Sequence, residues 1–225
     1  MTFSGFLKTD LVNYPGLIAS AVFTRGCNFR CPYCHNPQFI DLNGAGENYS
    51  EEEVLSYLEK RRSLLDALVI SGGEPTLHTD LHDFIRKVKT LGLKVKLDTN
   101  GSRPEVLKIL LDDGLLDYVA MDIKTSPEKY RYVGFSDFTL IEKSMLLLKA
   151  SEIGYEFRTT CPKGIIEFED LEKLSVIIGK GPKWFLQPFN PSKTLDPSYA
   201  DVGSNSAEEL KAMIAGLGRE NTFVR

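Results

Sequence analysis

Between Cys27 and Asn36 the chain reads Cys-Asn-Phe-Arg-Cys-Pro-Tyr-Cys-His-Asn, which places three thiols within eight residues at a C-x3-C-x2-C spacing. A loop this tight can turn three sulfurs toward one centre, as ligation of an iron–sulfur cube requires. A cube has four irons, so three cysteines leave one iron without a thiolate. An iron with an open position can bind and transform a small molecule. Other chemistries use parts of the same segment. The total of four cysteines would suit disulfides, but no signal for export to an oxidising compartment is evident. Cys31-Pro-Tyr-Cys34 alone is a glutaredoxin-like redox pair, yet that leaves Cys27 idle and belongs to a far shorter chain. Cys31-x-x-Cys34-His35 fits a c-type haem attachment site, which normally follows export. Three cysteines with His35 could hold zinc, although His35 adjoins Cys34 and structural zinc sites usually gather ligands from two places. The open cube gives all three thiols a role from this one loop.

Something must hold such a loop. At 225 residues and 42% hydrophobic, the chain can bury a full core as one domain. A net charge of −4 gives no bulk attraction to nucleic acid or to an anionic membrane, so neither is expected as a partner. No apolar run approaches the ~20 residues of a membrane span. Lys8 and Asp10 come early and no long apolar stretch follows, so no secretory signal is expected. The expectation is a cytoplasmic protein of an oxygen-poor cell.

Short β-type runs alternate with helical patterns. Strands are predicted over Ile18–Thr24, Ala67–Ser71, Leu93–Asp98, Tyr118–Ile123, Tyr155–Thr160 and Trp184–Gln187. Helices are predicted over Glu51–Arg61, Leu81–Leu91, Pro104–Asp113, Leu140–Glu152 and Glu169–Ile178, with a final helix at Ala207–Leu217 and a short strand at Thr222–Val224. Capping boxes are expected at Ser50/Glu53, Ser102/Glu105, Thr139/Glu142 and Ser206/Glu209. Strands separated by helices pair in parallel through right-handed crossovers, and six suit an incomplete parallel (β/α)6 barrel better than a closed eight-stranded one. The expected organisation is one domain over 1–225, with its core at about 16–190. Phe39–Asn48 and Pro188–Ser206 are rich in turn-forming residues and are expected as surface segments able to cover a substrate.

In such folds function gathers where strands run into loops at their carboxyl ends. The cysteine loop sits at one such end, Ser71-Gly72-Gly73-Glu74-Pro75 at the next. Paired glycines let a backbone approach a ligand, although they also serve in plain turns. Asp98-Thr99-Asn100-Gly101 and Met121-Asp122-Ile123-Lys124 end the following two strands. Aspartates there are often turn formers, but two carboxylates on adjacent strands need a cation or a proton between them, and hard oxygen ligands suit Na⁺, K⁺ or Mg²⁺. Arg158, late in the fifth predicted strand, needs acceptor partners if buried, from a ligand or from a structural ion pair. Cys161 stands alone and reads as a small buried hydrophobe. His78 and His82 have zinc-like spacing but are expected at a surface helix start.

The string from Phe23 to Asn36, with aromatic Tyr33 just before the last cysteine, resembles the radical S-adenosylmethionine (radical SAM) superfamily. Within it the string resembles the glycyl-radical-enzyme activases, above all the activating proteins of anaerobic ribonucleoside-triphosphate reductase. The resemblance extends over about 5–191. It implies a [4Fe-4S] cluster on Cys27, Cys31 and Cys34, with S-adenosylmethionine (SAM) chelating the fourth iron. Reductive cleavage of SAM would give methionine and a 5′-deoxyadenosyl radical, which takes hydrogen from a glycine of a partner enzyme. Gly72, Gly73, Glu74 and Pro75 match the family's GGEP motif, and with Tyr33 and Asn100 are implied as SAM-binding residues. Asp98, Thr99, the Met121 carbonyl and Asp122 resemble the pyruvate formate-lyase activase positions that hold a monovalent cation, Na⁺ or K⁺, with Lys124 pairing the SAM carboxylate. Arg158, Gln187 and Asn190 are implied as further SAM contacts, although Asn190 stands where those activases often carry histidine. The implied partners are a glycyl radical enzyme and a flavodoxin or ferredoxin electron donor. A pyruvate formate-lyase-type activase and a small-molecule enzyme of the deazaguanine synthase type stay open. A zinc-stabilised binding protein is the non-enzyme alternative.

Overall fold

The computed structural model describes residues 1–42 and 47–225. In chain order the strands are β1 (Thr2–Phe3), β2 (Gly5–Asp10), β3 (Ala19–Thr24), β4 (Tyr49–Ser50), β5 (Ala67–Gly72), β6 (Lys94–Thr99), β7 (Tyr118–Asp122), β8 (Gly154–Cys161), β9 (Trp184–Pro188) and β10 (Thr222–Val224). The helices are α1 (Glu51–Arg61), α2 (Leu81–Thr90), α3 (Pro104–Asp112), α4 (Phe138–Ala150), α5 (Phe168–Ile178) and α6 (Ala207–Leu217). Among the described residues the main sheet runs β10-β9-β8-β7-β6-β5-β3-β2. All its neighbours pair in parallel except β2, which lies antiparallel to β3. The edges β2 and β10 do not pair with each other, so the barrel is open.

Strand alternation sorts the side chains onto two faces. Leu68, Ile70, Val95, Leu97, Val119, Met121, Phe157, Trp184 and Leu186 lie on the helix-covered face, within one buried cluster that includes Leu58, Phe84, Leu107, Met145 and Leu174 from the helices. Full burial of each such Leu or Ile is worth roughly 1.5–3 kcal/mol, and this layer carries the fold. The opposite face is different. Ala19, Ala21, Ala67 and Val69 keep it open near β3 and β5, where Tyr14 and Tyr118 pack against them, and polar or charged residues take over from β6 onward.

Two capping boxes form as expected, at Ser50/Glu53 and Ser206/Glu209. The other two do not. α3 starts at Pro104 with Arg103 before it, because the Ser102 hydroxyl accepts from Asn28 Nδ2 (2.8 Å) instead. α4 starts two residues ahead of the predicted Leu140, because Asp137 accepts the Thr139 amide (3.1 Å) and nucleates the turn. Part of the expected surface segment Phe39–Asn48 lies outside the described residues. No helix among the described residues is long and apolar enough to cross a membrane.

Candidate active site

The cysteine loop leaves β3 at Thr24 and is fixed by backbone and side chain together. The Gly26 amide donates to the Phe39 carbonyl (2.8 Å), Cys27 to Ile40 (3.0 Å) and Arg30 to Val133 (2.8 Å). Phe29 and Tyr33 turn into the core, Phe29 against the Phe135 ring (4.7 Å) and Tyr33 edge-on to Phe189 (6.3 Å). Cys27, Cys31 and Cys34 all border one cavity of about 380 Å³. All four cysteines are free thiols. Burial pushes the Cys31 thiol up to about 12 and raises Cys27 as well, so a metal held there would have to supply the charge that turns them into thiolates.

Ser71, Gly72, Gly73, Asp98, Thr99, Asn100, Asp122, Lys124, Arg158, Thr160 and Gln187 border the same cavity, with Tyr33 and His35. Five consecutive parallel strands, β5 to β9, thus deliver their carboxyl ends to the same cavity as the cysteines. The two glycines let β5 run hard against the cysteine loop. Gly72 has φ of +113°, and a Cβ on Gly73 would sit 2.2 Å from the Gly26 carbonyl oxygen. The Gly73 amide donates to Thr24 O (2.9 Å) and the Glu74 amide to Gly26 O (2.8 Å).

Several expected ligand contacts lie elsewhere. Glu74 and Pro75 are buried and do not border the cavity. The Glu74 carboxylate accepts from the Thr76 amide (3.1 Å) and hydroxyl (2.5 Å), the Thr99 hydroxyl (2.7 Å) and the Asn100 amide (2.7 Å). It is a tie between two strand ends, and burial raises its carboxyl above the ordinary value. Glu74→Gln turns an NH2 toward these donors and should cost about 1–3 kcal/mol. Thermal unfolding measures this, and an unchanged midpoint would remove the tie. The Met121 side chain faces the helix-covered core beside Gly101, a direction that leaves its carbonyl, the expected ligand atom, where it was expected in the strand. Asn190 is exposed; its amide donates to His35 Nε2 (3.2 Å) and its Oδ1 accepts from the Ser192 amide (3.0 Å). Tyr33 borders the cavity but gives its hydroxyl to the Lys124 carbonyl (3.1 Å).

The paired aspartates do meet, and protein cations surround them. Arg158 donates from Nε to Asp122 (2.7 Å) and from Nη1 to Asp98 (3.2 Å). Lys124 donates to Asp122 (2.9 Å), and Lys96 pairs with Asp98. Burial would raise both carboxyls, but Arg158 with Lys96 holds Asp98 below the usual range, and Arg158 with Lys124 holds Asp122 well below it. Lys96 was missed from the sequence, although Lys96-x-Asp98 on one strand face was a readable signal. Asn28 was missed too. It bridges Asn100 Nδ2 (3.0 Å) and Ser102, tying the loop to the end of β6. Asn13, held by Asp10 (2.6 Å), reaches the cavity from the β2–β3 turn without any sequence signal.

His35 stacks on Phe189 (5.7 Å, 7° between planes) while accepting from Asn190. Burial holds its imidazole below the ordinary value. Among the described residues no three His, Cys, Asp or Glu side chains converge as a single-ion site. Zinc on three cysteines and His35 has no support in this geometry. Thiolates capping separate corners of a cube have no need to converge on a point, so the three sulfurs at one cavity wall fit a cluster. His78 and His82 turn to different partners, the Arg25 carbonyl (2.8 Å) and Asp113 (2.6 Å). Cys161 is fully buried, as expected.

An open parallel sheet that gathers three thiols and a paired-charge network at its carboxyl edge defines an enzyme of the cluster-bearing α/β class. The radical SAM superfamily model matches residues 21–174, and the chain belongs to that superfamily. A [4Fe-4S] cluster and SAM follow from membership. A Methanocaldococcus jannaschii protein provisionally described as a glycyl-radical enzyme activating enzyme is 33% identical over 99% of this chain and 95% of its own length. The pyruvate formate-lyase-activating enzyme of Clostridium pasteurianum is 33% identical over 57% of each chain. Among solved structures, a radical SAM methyltransferase from Sphaerobacter thermophilus superposes with a TM-score of 0.70 at 16% identity, covering 94% of this chain and 67% of that one, a likeness of fold.

Proposed function

We propose that this chain is a glycyl-radical-enzyme activase and that its partner is anaerobic ribonucleoside-triphosphate reductase. The observation that carries the reading is the shared cavity wall. Cys27, Cys31 and Cys34 face the strand-end residues Gly72, Gly73, Asn100 and Lys124 across one space. The full-length likeness to an activating enzyme supports the class of partner. Cys27, Cys31 and Cys34 would hold the cluster. When bound and reduced, it supplies the electron that cleaves SAM, whose adenosyl fragment then takes hydrogen from a partner glycine.

The chain's own residues bind and orient. The amides of Gly73 and Glu74 are committed to Thr24 and Gly26, so this turn would meet the SAM amino group through carbonyl oxygens. Lys124, charged because Asp122 outweighs the burial that would lower its pKa, would pair the SAM carboxylate. Asn100 and Gln187 border the space left for the adenosyl end. Phe29, Tyr33 and Phe189 pack against the loop and hold its path.

Two observations keep other substrates in view. Pyruvate formate-lyase-activating enzymes also match, which favours that lyase as the second partner to test. The cavity wall is rich in charge, as a small-molecule enzyme would have it, although those charges are spent on one another. Reduced holoenzyme incubated with SAM and each candidate glycyl radical enzyme, read by electron paramagnetic resonance, tests the assignment. A glycyl radical on the reductase is the expected result. A radical on the lyase alone would move the assignment, and SAM cleavage without either radical would point to a small molecule.

A further inference from the structure

The site that resembles a monovalent-cation pocket does not fit one. Of its four expected ligands, the Thr99 hydroxyl donates to Glu74 (2.7 Å) while accepting from the Gly101 amide (3.1 Å). Every carboxylate oxygen of the two aspartates already accepts from a protein donor. Asp98 Oδ1 takes Lys96, and Oδ2 takes Arg158 and the Ser71 hydroxyl (3.2 Å). Asp122 Oδ1 takes Arg158 and Oδ2 takes Lys124. A guanidinium is planar, permanently charged and long enough to give separate N–H donors to two acceptors, which suits it to span two strands where a bare ion would need its own shell of oxygens.

The charge count points the same way. Lys96, Lys124 and Arg158 bring three positive charges and Asp98 and Asp122 two negative, leaving +1, and the adjoining Glu156 is balanced by its own partner Arg225. Adding Na⁺ or K⁺ would raise this to +2 in a buried setting, where like charges a few ångströms apart repel strongly. A network at +1 is complementary to an anion.

We infer that Arg158 is this protein's built-in replacement for the cation: it bridges Asp98 and Asp122, leaves the network at +1 for the carboxylate of the bound amino acid, and makes the enzyme independent of Na⁺ and K⁺. The carboxylate half of this rests on the SAM reading above; the cation half does not. Arg158 acts as a positioning residue, holding Asp122 and through it the Lys124 ammonium.

The test uses cluster-loaded holoenzyme in choline, sodium and potassium chloride at equal ionic strength. Thermal midpoint and SAM affinity by calorimetry are read in each. Wild type should show midpoints within about 2 °C of one another and SAM affinities within about twofold. Arg158→Ala opens room for an ion. It should lose SAM affinity by roughly tenfold or more in choline and recover part of it in Na⁺ or K⁺, with a midpoint that rises on adding the ion. Arg158→Lys, which keeps the charge but cannot span both carboxylates, should fall between. Wild type that melts earlier or binds SAM at least tenfold more weakly in choline would overturn the idea. So would Arg158→Ala that matches wild type in choline, or that neither ion restores. Wild type that binds no SAM in any salt would sink the SAM reading instead, and the midpoints alone would still decide the cation question.

Discussion

Cys31→Ala should fold, lose its iron and the visible absorption of the cluster, and cleave no SAM. Cys31 is 7% exposed and packs beside Phe29 and Tyr33. Removing one sulfur there costs about 1 kcal/mol, well within the reserve of an ordinary domain. The fold loses little because the thiol is a minor part of a large apolar layer. Function loses everything, because a cube with two thiolates has two bare irons and no fixed orientation. Cys161→Ala is the matched control. That thiol is fully buried, near the end of β8, and donates only to the Thr159 carbonyl (3.4 Å). It should cost a similar amount of stability and keep its iron. Equal iron content in the two variants would remove the cluster assignment.

Gly73→Ala should do damage out of proportion to one methyl group. The added carbon would meet the carbonyl oxygens of Gly26 at 2.2 Å and Phe39 at 2.8 Å, both backbone atoms that cannot swing aside. Overpacking of this kind costs about 1–3 kcal/mol, several degrees in thermal midpoint for a chain of this size. The direction of the push matters more than its size. Gly26 adjoins Cys27, so relief moves the cysteine loop away from the strand ends and should weaken SAM binding along with the fold. Gly181→Ala supplies the contrast, since a Cβ there meets nothing within 4 Å; it should be neutral or slightly stabilising. Full SAM affinity in Gly73→Ala would mean the close approach has no part in the site.

The parallel framework was legible because β3 and β5 are near-continuous apolar runs, while β6 and β8 put an apolar or small residue at every second position. β5 and β9 extend by one residue beyond the predicted ends, and β3 begins one residue late. α1 and α6 match residue for residue, since Ser50 and Ser206 cap them through purely local bonds. Failure came where a distant group competed. Ser102 carries the same signature as Ser50, but Asn28, far away in sequence, takes its hydroxyl. β2 was invisible because Gly5-Phe-Leu-Lys-Thr-Asp10 is an edge strand with half-exposed residues and no alternation, defined by its partner β3. In the site, residue type and strand-end position brought the thiols, glycines and aspartates together. What each one touches could not be read. Glu74 looks like a ligand contact and is a tie between loops, and the acceptor partners Arg158 was expected to need are the same two aspartates that were assigned a metal ion.

The separation of the two sheet faces divides stability from chemistry. The apolar layer lies between strands and helices, whereas the charged strand ends border the cavity on the opposite face. Substitutions in the layer should therefore be read first in the melting temperature, and substitutions among the strand-end charges first in ligand affinity.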